Sequence, residues 1–284
     1  PSSYSLNGSK VDWITCWSEI QKEELVKGSD WEPERVNIGG IPSYDGYFKK
    51  EWLMKKDDYF KIHNLDPQRK LLGYACSFTT FSPNYQNIEA ILELIEANEL
   101  VEPCQLLIRL HPNHFLEDTL FKAEKDRISN LVNRCKYVHV VEPIPLGGDL
   151  GYYSGEDMPE KSSMMAYSDV FLTVYSTMVV EASIHGTPIV SVCLDVPDGW
   201  GVKNRFYLPL SKIGNWPTHK RFIDSGAGRV AFNKAELKEH INTYLRSPEI
   251  DKEKQRIFIK DECTYMKGDA ALRTAGFLLS LIRQ

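Results

Sequence analysis

Four apolar runs in this chain each end in residues that can grip an anion or a hydroxyl. Lys70–Cys76 is followed by Ser77, Thr79 and Thr80. Gln105–Leu110 carries Arg109 at its end, with His111 and Pro112 next. Tyr137–Val141 gives way to Glu142 and Pro143, and Asp169–Tyr175 to Ser176, Thr177 and Glu181. Hydroxyl, guanidinium and imidazole groups donate to phosphate oxygens, and a carboxylate accepts from ribose hydroxyls. The backbone from Val141 to Pro143 can meet a base edge. Ser176 and Thr177 suit a helix start, where free amides attract phosphate. Thr177 and Glu181 are four apart and share one helix face. That spacing allows one nucleotide to be held at its diphosphate and at its ribose.

Each of these residues also has a plainer reading. Ser176 caps a core helix and Glu181 is solvated. Arg109 pairs with a carboxylate at the sheet edge. His111, before Pro112, is a turn residue with a satisfied ring, and Ser77 is a loop hydroxyl. His114 is a second contact or a loop residue. His139 alternates within a strand and reads as structural. His185 follows a helix and supports its C-terminus. Asp195 and Asp198 flank Pro197 but make only a weak magnesium site. No Gly-x-Gly-x-x-Gly, Walker loop, Gly-x-Ser-x-Gly or His-Glu-x-x-His occurs, and no Asp-rich metal site is evident.

Apolar runs and polar helices alternate along the chain. Val11–Trp17 reads as a strand, Ser18 to about Lys27 as a helix, and Arg35–Ile38 as a short strand broken by Gly39, Gly40 and Pro42. Residues 45–69 read as a helix-containing linker. Asn87 is expected to cap a helix whose face carries Ile88, Ile91, Leu92 and Ile95. A helix fits 116–134, a Gly-rich loop 144–160, and a short helix 161–168. A helix follows Ser176 to near Gly186, and Pro188–Cys193 is a further strand. Residues 195–228 are irregular. Asn233 caps a helix to about Arg246, and Gly268–Gln284 is amphipathic. Five apolar strands separated by helices predict an α/β fold. The sheet is Rossmann-like and parallel, with helices on both faces. Ligands of such sheets bind beyond the carboxyl ends of the strands.

The bulk properties bound the rest. The chain has 284 residues, 42% of them hydrophobic, enough for a sizeable core. A net charge of −5 leaves no electrostatic footprint for nucleic acid. Six scattered cysteines without a CxxC pair read as reduced thiols of a cytosolic protein. No apolar run spans a membrane and no signal-peptide pattern appears. A start on Pro1 reads as a processed or excerpted chain.

Several runs together resemble a known superfamily. They are Arg109–Pro112, Ser168–Thr177, Glu181-Ala182 and Gly186–Val190, with Trp17-Ser18 and Val36–Asp45 upstream. Their pattern resembles the C-terminal, donor-binding half of GT-B glycosyltransferases. It is nearest the UDP-N-acetylglucosamine 2-epimerase and CDP-glycerol glycerophosphotransferase branches of surface-polysaccharide enzymes. The resemblance covers about residues 11–193. It implies that Glu181 holds the donor ribose and that Ser176 and Thr177 hold the diphosphate. Arg109 and His111 would be the catalytic basic pair facing the phosphates and leaving group. Ser77 and Glu142 complete the nucleotide-binding set. It also implies no tightly bound cofactor, a nucleotide-sugar donor (UDP-sugar favoured) and a saccharide or lipid-linked acceptor. A cytoplasmic location, peripheral at the inner face of the membrane, goes with it.

Three parts follow: 1–65 as a segment entering from an N-terminal domain, 66–265 as the nucleotide-sugar-binding domain, and 266–284 as a C-terminal helix expected to pack back on that N-terminal domain. Thr173 stands where many retaining members carry an acid, and most of the acceptor half is absent. A donor domain that is inactive alone is one outcome. A sugar-nucleotide 2-epimerase, a polyol-phosphate transferase, and a non-catalytic nucleotide-binding or assembly module are the alternatives.

Overall fold

The computed structural model describes residues 11–29, 31–78, 84–117, 119–143, 157–174, 176–194 and 214–282. Thr79, Thr80, Asp195 and Asp198 lie outside them, as does most of the Gly-rich loop.

Six parallel strands form the main sheet. They are β3 (Lys70–Ala75), β4 (Cys104–Arg109), β5 (Val138–Val141), β6 (Val170–Thr173), β7 (Ile189–Val192) and β8 (Arg229–Ala231). Their order is β5-β4-β3-β6-β7-β8. Each strand falls on the run that predicted it, β4 starting one residue early at Cys104, save β8, which is a sixth strand of three residues and too short to show a period. β3, β4, β6 and β7 are almost wholly buried, as a sheet covered on both faces requires.

Helices cover the two faces. One side carries α4 (Asn84–Glu96), α5 (Thr119–Arg134) and α9 (Lys234–Arg246). There Ile88, Ile91, Leu92, Leu237 and Ile241 join Leu72, Ile108 and Leu172 in one core. Each fully buried side chain of this kind contributes about 1.5–3 kcal/mol. The other side carries α6 (Met158–Tyr167), α7 (Met178–His185), α8 (Pro217–Ser225) and α10 (Lys252–Cys263). There Val179, Ala182, Phe222 and Phe258 pack under Phe171 and Ile189.

Three sequence expectations need correction. Asn87 does not cap α4; the helix starts at Asn84, and Asn87 is buried within it. Its amide donates to the carbonyl of Val192 (3.1 Å), tying α4 to the end of β7. The short helix α6 begins at Met158 rather than near 161, because Pro159 suits a first turn. The stretch 195–228, read as irregular, contains α8, with Pro217 at its first position.

A small second sheet precedes the large one. β1 (Ile14–Cys16) and β2 (Val36–Ile38) pair in parallel, joined through α1 (Glu19–Gly28), which Ser18 caps by accepting from the Gln21 amide. The chain then passes Gly40 and α2 (Asp45–Lys49) to α3 (Lys56–Ile62). Tyr59, Phe60 and Leu65, within the segment 1–65, pack with Leu71, Leu107 and Met164 of the large sheet and α6. The last helix, α11 (Ala270–Ile282), returns to β1 and β2, with Phe277 edge-on to Trp13 at 5.6 Å. Asp45 caps it: the amides of Ala270 and Ala271 donate to its two carboxylate oxygens, each at 2.9 Å. Gly40 (φ +87°) allows the approach, since a Cβ there would stand 2.9 Å from that of Ala270. Asp45→Ala leaves both amides without their acceptor and should cost about 1–2 kcal/mol in urea unfolding; an unchanged midpoint would show that the cap contributes nothing.

Candidate functional site

The switch point of the sheet lies between β3 and β6. β3 hands the chain to α4 on one face, and β6 hands it to α7 on the other. Such a divergence opens a crevice beyond the carboxyl ends of the two strands. Ser77 follows β3, Ser176 and Thr177 follow β6, and Arg109 and His111 end the adjacent β4. Glu142 lies at the end of the edge strand β5, exposed, with its carboxylate 3.0 Å from Lys125. The fold thus brings the predicted residues to one edge of one sheet, with Glu142 on its margin.

α7 presents its N-terminus to the crevice. Ser176 Oγ accepts from the Met178 amide at 3.2 Å, and the amides of Val179 and Val180 turn back on the carbonyls of Ser176 and Thr177. Thr177 is the N-cap residue, and its side chain makes no capping bond. The amides of Ser176 and Thr177 have no partner among the described residues. Gly186 ends the helix in the left-handed region (φ +70°).

Glu181 is buried rather than solvated, at 4% exposure. Tyr47 of α2 donates to its Oε2 at 2.6 Å, and Lys161 of α6 lies 2.6 Å from the same oxygen. A buried carboxylate needs such a cation and such a donor. Burial first, and then the neighbouring Glu181 charge, hold the Tyr47 phenol far above its usual range, so it stays a donor. Tyr47 also meets Trp52 and His185 edge-on, at 4.9 and 5.6 Å. His185 Nε2 lies 3.3 Å from Ser162 Oγ. The carboxylate is therefore held from α2 and α6, elements remote in sequence.

Arg109 is the largest fully buried side chain, and its guanidinium is ion-paired with Asp157 and Glu160 at the start of α6. Of the two readings that the sequence left open, the ion-paired one describes its geometry. Glu160 also accepts from Tyr59 at 3.0 Å, so β4, α3 and α6 meet on one charge cluster. His63 stands 3.6 Å from Glu160, but burial, and then the positive charges around it, pull the imidazole down to about 4.

His111 opens a short 3-10 turn, Pro112–Phe115. Its Nδ1 accepts from the Asn113 amide at 3.2 Å. Burial, then His114 and Arg109, lower its pKa to about 4, so it is neutral near pH 7. An amide can only donate, so the proton of the neutral ring sits on Nε2. Ser77 is fixed through its backbone: its amide donates to Asn84 Oδ1 at 3.0 Å, and Asn84 Nδ2 donates to its carbonyl at 2.9 Å. His139, expected to be structural, is part-buried within β5, and desolvation lowers its pKa. Among the described residues no group of three or more His, Cys, Asp and Glu could hold a metal ion. No helix among them is long and apolar enough to cross a membrane.

Sequence reasoning missed Tyr47, Asn84, Glu124, Asp157, Glu160 and Lys161. Each is a partner of a predicted residue, and none follows a strand. Only Asn84 carried a local signal, as a polar residue ahead of an apolar helical face.

The sheet order, and helices on both of its faces, make a Rossmann-like α/β fold, consistent with the GT-B C-terminal domain type that the sequence resemblance implied. Solved structures bear this out. The chain is similar to the wall teichoic acid polymerase TagF, with TM-score 0.58 and 17% identity over 96% of this chain and 58% of that one. It is similar to the UDP-GlcNAc 2-epimerase of Neisseria meningitidis, solved bound to UDP-GlcNAc, with TM-score 0.61 and 16% identity over 95% and 62%. Among curated proteins it is 20% identical over 278 residues to the teichoic acid ribitol-phosphate primase of Bacillus spizizenii, covering 96% of this chain and 60% of that protein. The chain spans 60% of the length of that relative. No protein-family model matches it.

His63, His111, His185 and His219 all have their pKa lowered to about 4, with burial the first cause in each. The unfolded chain, with histidines near 6.5, binds more protons than the folded one below that pH. Stability is therefore full above about pH 6.5 and lost as pH falls towards 4. Thermal melts should show a falling midpoint between pH 7 and 5, with a shallower fall in His185→Gln; equal midpoints at both pH values would contradict the buried neutral histidines.

Proposed function

We propose that this chain is the nucleotide-binding part of a transferase that builds a cell-surface polysaccharide from a nucleotide-activated donor. The observation that carries this reading is the crevice at the β3–β6 switch point, with the N-terminus of α7 at its rim. The donor diphosphate sits at the amides of Ser176 and Thr177, where the helix dipole favours negative charge. Glu181, oriented by Tyr47 and Lys161, accepts from the ribose hydroxyls. The end of β5, with Glu142, faces the base. Ser77 lies on the opposite lip of the crevice.

His111, neutral with its proton on Nε2, donates to the phosphate or to the departing oxygen as the donor bond breaks. Donors aimed at developing charge are a large source of rate acceleration. Arg109 acts at one remove in this reading, since Asp157 and Glu160 neutralise it. It holds the start of α6, and hence Lys161, against the sheet.

The three-part division fits this reading. Residues 66–265 carry the donor site, residues 1–65 lead in from an acceptor domain, and 266–284 return to it. The helix α11 supports the last point: Leu272, Leu278, Leu279 and Ile282 are 75, 52, 53 and 81% exposed, an apolar surface of the kind that packs against a neighbouring domain. The reaction takes place on the cytoplasmic side, where nucleotide-activated donors are found, with the enzyme peripheral to the membrane and the acceptor a saccharide or a lipid-linked chain.

A polyol-phosphate transferase is the second reading, favoured by the likeness to a ribitol-phosphate primase and to TagF. The two differ in the donor's base and cargo. Titration calorimetry with UDP, CDP, GDP and CMP separates them, UDP pointing to sugar transfer and CDP to polyol phosphate. Glu181→Ala should weaken binding of the preferred nucleotide by about 1–3 kcal/mol with the fold intact. Unchanged binding removes Glu181 from the site, and no binding by any nucleotide removes the reading for this chain.

A further inference from the structure

One buried carboxylate reaches both lips of the crevice. Glu124 lies on α5, 4% exposed, away from every strand end. Its Oε2 is 2.8 Å from His114 Nε2 and accepts from Asn84 Nδ2 at 3.4 Å. His114 is itself buried, and its Nδ1 lies 3.0 Å from the His111 amide and 3.1 Å from the His111 carbonyl, so it holds that backbone in either role. Because a carboxylate oxygen can only accept, the ring of His114 presents Nε2–H to Glu124, and in the neutral ring Nδ1 is then bare and takes the His111 amide. The carboxylate therefore fixes the ring of His114 against the backbone of His111.

The other arm is equally direct. Asn84 Oδ1 accepts from the Ser77 amide and from Tyr74 Oη, while its Nδ2 serves both the Ser77 carbonyl and Glu124. The carboxylate thus also fixes which way the Asn84 amide faces. Reversing the Asn84 amide would set donor against donor at the Ser77 amide and acceptor against acceptor at Glu124.

We infer that Glu124 is a positioning residue for the nucleotide site, fixing His111 after β4 through His114 and Ser77 after β3 through Asn84. This rests on the reading of the crevice as that site. Its direct product is the orientation of His111. With the turn held, Nδ1 is committed to the Asn113 amide, and Nε2 is the ring nitrogen left to meet a ligand. A buried network of this kind is worth more than its separate pairs only while every member keeps its role.

The test uses the ¹⁵N signals of the His111 ring, assigned with His111→Gln, together with UDP and CDP titrations of the same samples at pH 7.5. The wild type should show one neutral tautomer, protonated at Nε2. Glu124→Gln retains an oxygen acceptor and should keep that signature, with affinity within about threefold. Glu124→Leu, of similar size and without acceptors, should give mixed His111 tautomers and nucleotide binding at least tenfold weaker, at unchanged helical content. His114→Asn is a milder break of the same chain and covers the case in which Glu124→Leu does not fold; it should also give mixed tautomers. A wild-type ring protonated at Nδ1 overturns the inference, as does a folded Glu124→Leu or His114→Asn that keeps the wild-type signature. If the wild type binds neither nucleotide, the reading of the site fails, while the ring signals still decide the role of Glu124.

Discussion

A parallel sheet buried on both faces has no free surface except its ends, and everything described above follows from that. Helices must cover each face, so successive crossovers leave the carboxyl edge by one face or the other. Where β3 and β6 part company, α4 and α7 cannot both fill the space between them. The polar residues after the strands face this gap because the apolar ones are consumed by the two cores. Chemistry collects there because the residues that follow the strands are the ones packing does not consume.

A second constraint acts inside the frame. Arg109, Glu124 and Glu181 are all buried, and a charge in that environment must be matched by nearby partners. The partners come from helices on the flanks: Asp157, Glu160 and Lys161 from α6 and its approach, Tyr47 from α2, Asn84 from α4. Electrostatics thereby couples the crevice to elements that never enter it. α6 is the busiest of these, since it answers both Arg109 and Glu181 with charges of opposite sign within one turn and a half. That turn has to be well placed for either side of the crevice to be in order.

The sequence made the sheet legible because its strands are long apolar runs bounded by polar residues. β8 escaped because three residues cannot show a period. The helix pattern of Ile88, Ile91, Leu92 and Ile95 was plain, but the position of its start was not. Asn84 and Asn87 are alike as cap residues, and only the carbonyl of Val192, far along the chain, tells them apart. The same limit governs the site. Residues following a strand can be found by inspection, since the fold class alone says where they go. Their partners are fixed by which helix lies over which strand. Tyr47 and Glu181 are separated by 134 positions, and no local pattern relates them. Arg109 shows what is lost: an arginine at a strand end reads the same whether it greets a ligand or a carboxylate, until α6 is in place.

The contact between Asp45 and the start of α11 has a mechanical meaning. The chain passes between the small β1–β2 sheet and the large one twice, once beyond Gly40 and once before Ala270, and the two passages touch. A body joined by a single strand can swivel in any direction. Two crossings pinned side by side, with Arg221 of α8 reaching Glu24 of α1 at 2.8 Å as a third tie, resist swivelling, twisting and sliding alike. Asp45 is the pin between the two crossings, so the small sheet keeps its place on the large one through the start of α11 as well as through the chain itself.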